Sequence, residues 1–333
     1  MNHSPKNADI HPTQDDDDNF VLPFQIESAK TSGRIVRLGS VIDEVLSKHD
    51  YPESVSILLG EAIALTAMLS ASLKFDGKLI LQTRSDGPVH FLVVQSDASG
   101  KVRGYVNFDR ERVAELEKGT GPFQSKLLGN GHLAMTIDQG IDMERYQGIV
   151  ALENSTLSEA ANTYFRDSEQ LPTFLRLVVA RLFTGNLSKQ EQWSWRAGGL
   201  LIQNLTSEGG FAEQQHPDAQ EENWPFVDGD EGWNRACHLA STVEDHEMLD
   251  PNLTSERLLF RLFHEERVLT FPRDQISAEC QCSRERIENM LGGFTNEERQ
   301  DMNVDGKILV KCEFCSRQFE FSPDQFEGSL PES

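Results

Sequence analysis

Basic residues are in short supply in this chain: 31 Lys and Arg face 54 Asp and Glu over 333 residues, a formal net charge of −23. That deficit favours solubility and disfavours a surface built for phosphate backbones. No apolar signal core is visible either. Met1-Asn2-His3-Ser4-Pro5 opens a polar, acidic stretch running to Asp15-Asp16-Asp17-Asp18, so a cytoplasmic chain with reduced thiols is expected. The one run that could be mistaken for a membrane span, Val55 to Leu73, contains Gly60, Glu61, Thr66, Ser70 and Ser72. A buried core helix is the expectation there, with no membrane partner. Nucleophile elbow, phosphate loop, HExxH and a repeat of 20–50 residues are all missing. Gly129-Asn-Gly-His and Gly198-Gly199 lack phosphate-cradle spacing and are taken as turn glycines. No enzyme is expected.

Cysteine is scarce as well, but its placement is not scattered. Four of the five cysteines form two tight pairs, Cys280-Gln-Cys282 and Cys312-Glu-Phe-Cys315, separated by 29 residues. As thiolates, four such sulfurs can close a tetrahedral shell around Zn²⁺; oxidised, they can form disulfides and hold no metal. The CxxC lies where the strand-like run Ile308 to Phe314 reverses at Cys315-Ser316 into Gln318-Phe319-Glu320-Phe321, as in a zinc knuckle. Residues i and i+2 of a strand stand well apart, so a shared metal favours a turn at the CxC. Ser283 is a natural N-cap for a short helix ended by Gly292 and Gly293. A disulfide within a CxC closes a small strained ring, which is the labile, regulatory kind. A plain zinc knob that only staples a small domain is the simpler alternative.

The rest of the chain divides by texture. Residues 1–19 are charged and aperiodic, and disorder is expected. Residues 20–206 form a mixed α+β domain. It has a strand from Gly33 to Leu38, a helix from Val41 to Lys48, and a long helix opened by Pro52 at N1 and running through Leu73. Strands follow at Lys78–Thr83, Val89–Gln95, Val102–Asn107, Tyr146–Leu152 and Thr173–Phe183. Thr156 and Glu159 form a capping box for a helix through Tyr164 and Phe165. Gly198 to Gln203 closes the domain. From Ser207 to Glu231 there are eight acidic residues and no Lys or Arg, a self-repelling linker. The linker, 207–279, then turns helical: one helix over Trp233–Met248, and a second capped by Thr254. The second carries Leu258, Leu259, Phe260, Leu262 and Phe263, apolar on most sides, and must be covered by the large domain, the zinc domain or a partner. Residues 280–333 are the small zinc-binding domain.

Lone residues have plainer readings. Cys237, separated from Cys280 by 42 residues and inside a helical pattern, is expected to pack as a small hydrophobe rather than act as a fifth redox thiol. His238, His246 and His264 are expected to be helix-surface or packing residues. Glu265-Glu266 and Asp50 are taken as solvated acids, and Tyr51-Pro52-Glu53 as a helix start. Trp193 and Trp195 could be core or surface anchors.

The CxC and CxxC at this spacing resemble the signature of the redox-regulated heat-shock holdases called 33-kDa chaperonins. His49-Asp-Tyr-Pro, Leu73-Lys-Phe-Asp-Gly, Asp86-Gly-Pro, Tyr146-Gln-Gly, Ser168-Glu-Gln-Leu-Pro-Thr173, Ala197-Gly-Gly-Leu and Leu262-Phe-His-Glu-Glu extend the likeness over roughly residues 20–325. The acidic tail and the stretch 207–231 depart from it. The resemblance implies an ATP-independent chaperone of the stress response, off when reduced, monomeric and zinc-bound through Cys280, Cys282, Cys312 and Cys315. It also implies that oxidation forms Cys280–Cys282 and Cys312–Cys315 disulfides, expels zinc, unfolds the C-terminal region and frees the linker. A homodimer that captures unfolding client proteins then results. The physics agrees, since zinc contributes roughly 10–16 kcal/mol to folding small zinc modules and bound thiolates are already deprotonated. Two rival readings exist. A zinc-ribbon nucleic-acid binder conflicts with six basic against eleven acidic residues in 280–333, a balance that repels phosphate. A thiol–disulfide oxidoreductase would want its CxxC at a helix N-terminus in a βαβ context.

Overall fold

The computed structural model describes residues 18–73, 77–119, 124–139, 145–183, 193–205 and 225–326. Most of the acidic tail, Lys74 to Asp76 of one family-like motif, and most of the acidic stretch 207–231 lie outside them. Chain packing separates two units, Met1–Leu46 with Tyr51–Ala278, and Ser47–Asp50 with Glu279–Ser333.

The larger unit runs β1 (Phe20–Ile26), β2 (Thr31–Leu38), α1 (Ser40–Ser47), α2 (Glu53–Ser70), β3 (Lys78–Ser85), β4 (Val89–Asp97), β5 (Lys101–Phe108), α3 (Arg110–Glu117) and α4 (Gln124–Leu128). It continues with β6 (Asn130–Asp138), β7 (Tyr146–Glu153), α5 (Leu157–Tyr164), β8 (Thr173–Phe183) and β9 (Trp193–Asn204). Then come α6 (Glu231–Ser241), α7 (Asp245–Leu249), α8 (Ser255–Phe263), β10 (Val268–Thr270), β11 (Asp274–Gln275) and β12 (Ser277–Ala278). Two sheets result. One has the order β10-β1-β2-β9-β8, with β11 also on β1; the other is β12-β5-β4-β3-β6-β7.

Helix α2 explains the apolar run. It packs against strands of both sheets, so Val55, Leu58, Leu59, Ala62, Ile63, Leu65 and Met68 are all buried. A helix between two apolar layers has no wet face to keep polar. By length and composition it is the one described helix that could cross a membrane, and 78% of it is buried inside the protein. It ends at Ser70, three residues short of the expected Leu73, and Pro52 is its N-cap residue rather than its first helical one.

The first sheet is covered on its other face too. Phe20, Leu22, Phe24 and Ile26 of β1 point towards Trp233, Cys237, Leu258, Leu259, Leu262 and Phe263, whereas Val21 joins the α2 side. The helical linker is therefore the fourth layer of the larger unit, and the cover that α8 required is the first sheet. Phe260 is 69% exposed, so α8 is amphipathic and not apolar on most sides. The helix expected over Trp233–Met248 is broken at Thr242–Glu244. There a capping box between Glu244 and Glu247 starts α7, and Thr242 caps back onto the Leu239 carbonyl at 2.7 Å. Strand β6 carried no sequence expectation.

Two arginines hold this layer down. Arg37 of β2 donates to the carbonyls of Glu247 (2.9 Å) and Asp250 (2.7 Å) at the C-terminal end of α7. Arg196 of β9 donates to Leu249 (2.9 Å) and pairs with both oxygens of Asp18. Cations at helix C-terminal carbonyls satisfy acceptors that the helix cannot. Burial, and then the neighbouring Arg196, pull the Arg37 guanidinium down to about 10. Asp18 and Asn19 were expected in a disordered tail. They are instead 7% and 8% exposed, and the Asn19 side-chain oxygen accepts from the Gly39 and Val41 amides, each at 3.0 Å. Glu266 is likewise buried, not solvated, and takes Arg235 and Ser28 as partners.

The smaller unit holds α9 (Arg284–Gly292), α10 (Asn296–Asp301) and a three-stranded antiparallel sheet of β13 (Asn303–Val304), β14 (Lys307–Lys311) and β15 (Gln318–Phe321). Its core is Ile287, Leu291, Ile308, Phe321 and Phe326. The buried Arg299 donates to the Leu291 carbonyl at 3.0 Å and stacks on Phe326.

Candidate metal centre

Each cysteine pair is shaped by its local sequence. In the CxxC, β14 and β15 run antiparallel with Lys311 opposite Gln318, which puts Cys312 to Arg317 in the reversal. Cys312 N–H donates to the Arg317 carbonyl at 2.9 Å and Ser316 N–H to the Cys312 carbonyl at 2.8 Å. Ser316 takes φ of 57°, the left-handed residue needed to close so tight a knuckle. The amides of Phe314 and Cys315 then point at the Cys312 sulfur. In the CxC, the chain is irregular from Glu279 to Ser283. The Cys282 amide turns back on the Cys280 sulfur, and Ser283 caps α9 by accepting from the Arg286 amide. The turn, the N-cap and the helix end at Gly292-Gly293 all fall where the residue types placed them.

The two motifs converge. Cys280 Sγ lies 3.6 Å from Cys312 Sγ, and Cys282 Sγ 3.4 Å from Cys315 Sγ. All four sulfurs lie within 4.8 Å of one another and are half-buried. A disulfide needs about 2.05 Å, and none of these cysteines is in one. A four-thiolate shell with metal–sulfur bonds of about 2.3 Å sets its sulfurs about 3.8 Å apart. The observed spacing is close to that shell, and the donor set is all sulfur. The site fits a thiophilic metal ion held by Cys280, Cys282, Cys312 and Cys315.

The electrostatics point the same way. Burial pushes the Cys280 thiol up, but amide and thiol hydrogen bonds more than offset it and bring it down to about 7. Burial and the adjacent sulfurs push Cys282 and Cys312 up. A cluster that favours the thiolate at Cys280 and resists ionisation at Cys282 and Cys312 is one that a cation stabilises.

One neighbour was not singled out as a site residue. His49, in the Ser47–Asp50 segment that packs with the smaller unit, donates from Nε2 to the Phe314 carbonyl (3.2 Å) and accepts at Nδ1 from Ser316 (3.3 Å). Burial, with Lys311 and Lys48, lowers its pKa against the opposing effect of the carbonyl bond. It is a neutral support of the knuckle, and both ring nitrogens are occupied. Its only sequence signal was the His-Asp-Tyr-Pro motif. Cys237 is 1% exposed beside Trp233, its thiol raised by burial and by Asp230. His238, His246 and His264 lie on exposed helix surface, outside the metal cluster.

The comparisons with known proteins agree. A family model described as Hsp33 protein matches residues 19–322. The 33 kDa chaperonin of Caulobacter vibrioides is 43% identical over 318 residues, spanning 95% of this chain and 99% of that protein. The 33 kDa chaperonin of Nitrosococcus oceani is 40% identical over 310 residues, 93% of each. The crystal structure of the 33 kDa chaperonin (heat shock protein 33 homologue) of Thermotoga maritima aligns with a TM-score of 0.70 at 23% identity, covering 93% of this chain and 97% of that one. That likeness bears on the fold alone, and the fold agrees with what the sequence relatives say: the chain belongs to the Hsp33 family.

Proposed function

We propose that this protein is a redox-regulated, ATP-independent holdase that binds unfolding client proteins under oxidative stress. The observation that carries the reading is a four-sulfur cluster closing a unit whose own core is only five buried apolar residues. Zn²⁺ suits four soft donors and, when bound, supplies folding free energy of roughly 10–16 kcal/mol. Thiolates kept in that shell are deprotonated and ready for oxidants.

Oxidation then acts through the residues. Cys280 joins Cys282, and Cys312 joins Cys315. Each new S–S bond gives up two electrons to one peroxide, whose O–O bond breaks and which takes two protons from solvent to leave as two waters. The donor set is lost, and residues 280–326 lose what orders them. The linker helices are released from the first sheet, exposing the apolar face around Phe20, Leu22, Phe24 and Ile26 to clients and to a second copy of the chain. The domain plan of a large α+β unit, a linker from 207 to 279 and a switch from 280 onwards serves this reading. The protein binds rather than turns over, and it works in the cytoplasm.

The test is to measure zinc, free thiols and suppression of client light scattering before and after peroxide. One zinc per reduced chain should be released as four thiols disappear, and only the oxidised form should protect clients. Equal protection by both forms would make the cluster a structural staple.

A further inference from the structure

The segment Val268–Ala278 closes one edge of both sheets. Its first part is the outer partner of β1, with Thr270 opposite Phe24 and Gln275 opposite Phe20. Its last two residues then cross to the other sheet and lie parallel to β5, Ser277 beside Lys101 and Ala278 beside Val102. Nothing else among the described residues covers these two edges.

The strap is held mostly by its backbone. Phe271 N–H donates to Pro23 (2.9 Å), Ile276 N–H to Asn19 (2.7 Å), and Ser277 N–H to Gly100 (2.9 Å). Ile276 is the one buried side chain, 5% exposed, whereas Leu269 and Phe271 are 40% and 47% exposed. Arg273 adds a stacking contact on Phe20 and an ion pair with Glu256. At Gly100 the strap backbone comes so close that a Cβ would meet the Gln275 carbonyl at 1.9 Å. The seat therefore accepts main chain, plus one aliphatic side chain at the Ile276 position. Strand pairs this short contribute little by themselves, and Ala278 is followed by only Glu279 before the first metal-binding cysteine.

We propose that the edges of β1 and β5 are the seats for extended segments of client protein, which add as new strands once the strap leaves. The proposal rests on the holdase reading. The strap shows the occupant's chemistry: extended backbone with an aliphatic residue for the Ile276 pocket. Pairing through main-chain hydrogen bonds is tolerant of sequence, as binding of varied unfolded chains requires. An open strand edge is also what an unfolded polypeptide pairs with most readily. While the strap is seated, the chain occupies its own binding site.

Two experiments on the full chain test this. In oxidised wild type, a peptide with the sequence of residues 267–279 should compete with a chemically unfolded client and slow hydrogen exchange at the β1 and β5 edges severalfold. A scrambled peptide should do neither. In the reduced, zinc-loaded protein, Ser277→Pro removes the donor to Gly100. It should speed exchange along β5 and give client protection approaching that of oxidised wild type, with zinc content unchanged. The proposal is overturned if the peptide leaves both edges unprotected, or if only self-association of the oxidised chain protects them. It is also overturned if the freed strap of Ser277→Pro brings no gain. Should that variant not fold, the peptide experiment decides. Oxidised wild type that protects no client at all defeats the holdase reading itself, a separate result.

Discussion

The two units are stabilised in opposite ways. In the larger one, α2 is packed on both sides by sheets and the first sheet on both sides by helices, so apolar burial is continuous through four layers. In the smaller one, five apolar residues and four sulfurs share the interior. Five such side chains are worth about 1.5–3 kcal/mol each. Together that is no more than one structural metal supplies, roughly 10–16 kcal/mol. One unit can therefore lose a single contact and remain folded; in the proposed function the other depends on a metal centre that oxidation can remove, and that is the kind of unit in which a redox switch would sit.

The sharpest way to break this contrast is to withdraw the metal. Chelation of the reduced protein should bring the amides of β14 and β15 to the exchange rate of unfolded chain, while β2, β3 and β9 keep their protection. Persistent protection in β14 and β15 without metal would mean that the small unit folds on its own core. The next effect lies in the larger unit. Asp18→Ala leaves Arg196 buried beside Arg37 without its carboxylate. Loss of one partner of a buried pair costs about 3–5 kcal/mol. A denaturation midpoint should fall accordingly, with zinc content untouched; a shift within error would show the pair to be ornamental.

Glu61 sharpens the comparison through pH. Burial in α2 raises its carboxyl to about 7, above its unfolded value. Its protonated form favours the fold at acid pH, and that contribution is lost as pH rises from about 4.5 through 7. Glu61→Gln should therefore stabilise the larger unit above pH 7 by up to roughly 3 kcal/mol. Below about pH 4.5 it should change nothing, and a pH-independent gain in thermal titrations would rule out titration as the cause. The smallest effect is expected at Cys237. Its replacement by Ala should cost about 1 kcal/mol of packing and leave zinc content and oxidant response as in wild type. Zinc loss there would extend the metal centre beyond the four clustered sulfurs.

Much of the site was legible because it is local. A CxC, a CxxC, a Ser N-cap and a Gly-Gly helix end act within a few residues of themselves, and the sulfurs meet where such spacing brings them. The capping box of α5 and the Thr254 cap of α8 are local in the same sense. The break between α6 and α7 was local too, but its capping box starts with Glu244, an uncommon N-cap residue, and a continuous apolar pattern masked it.

Residue types and spacing by themselves determined an α+β domain, a buried α2, an acidic stretch and a four-thiol cluster. Tertiary structure alone decided that the linker helices are a layer of the larger unit. It also decided that Arg37 and Arg196 catch the end of α7, that Asp18 is buried 178 residues from its partner, and that the strap closes two sheets. These features depend on strand pairings between distant parts of the chain. A short strand such as Ser277–Ala278 has no periodicity to read, and an arginine's partner is set by which carbonyl the fold places beside it.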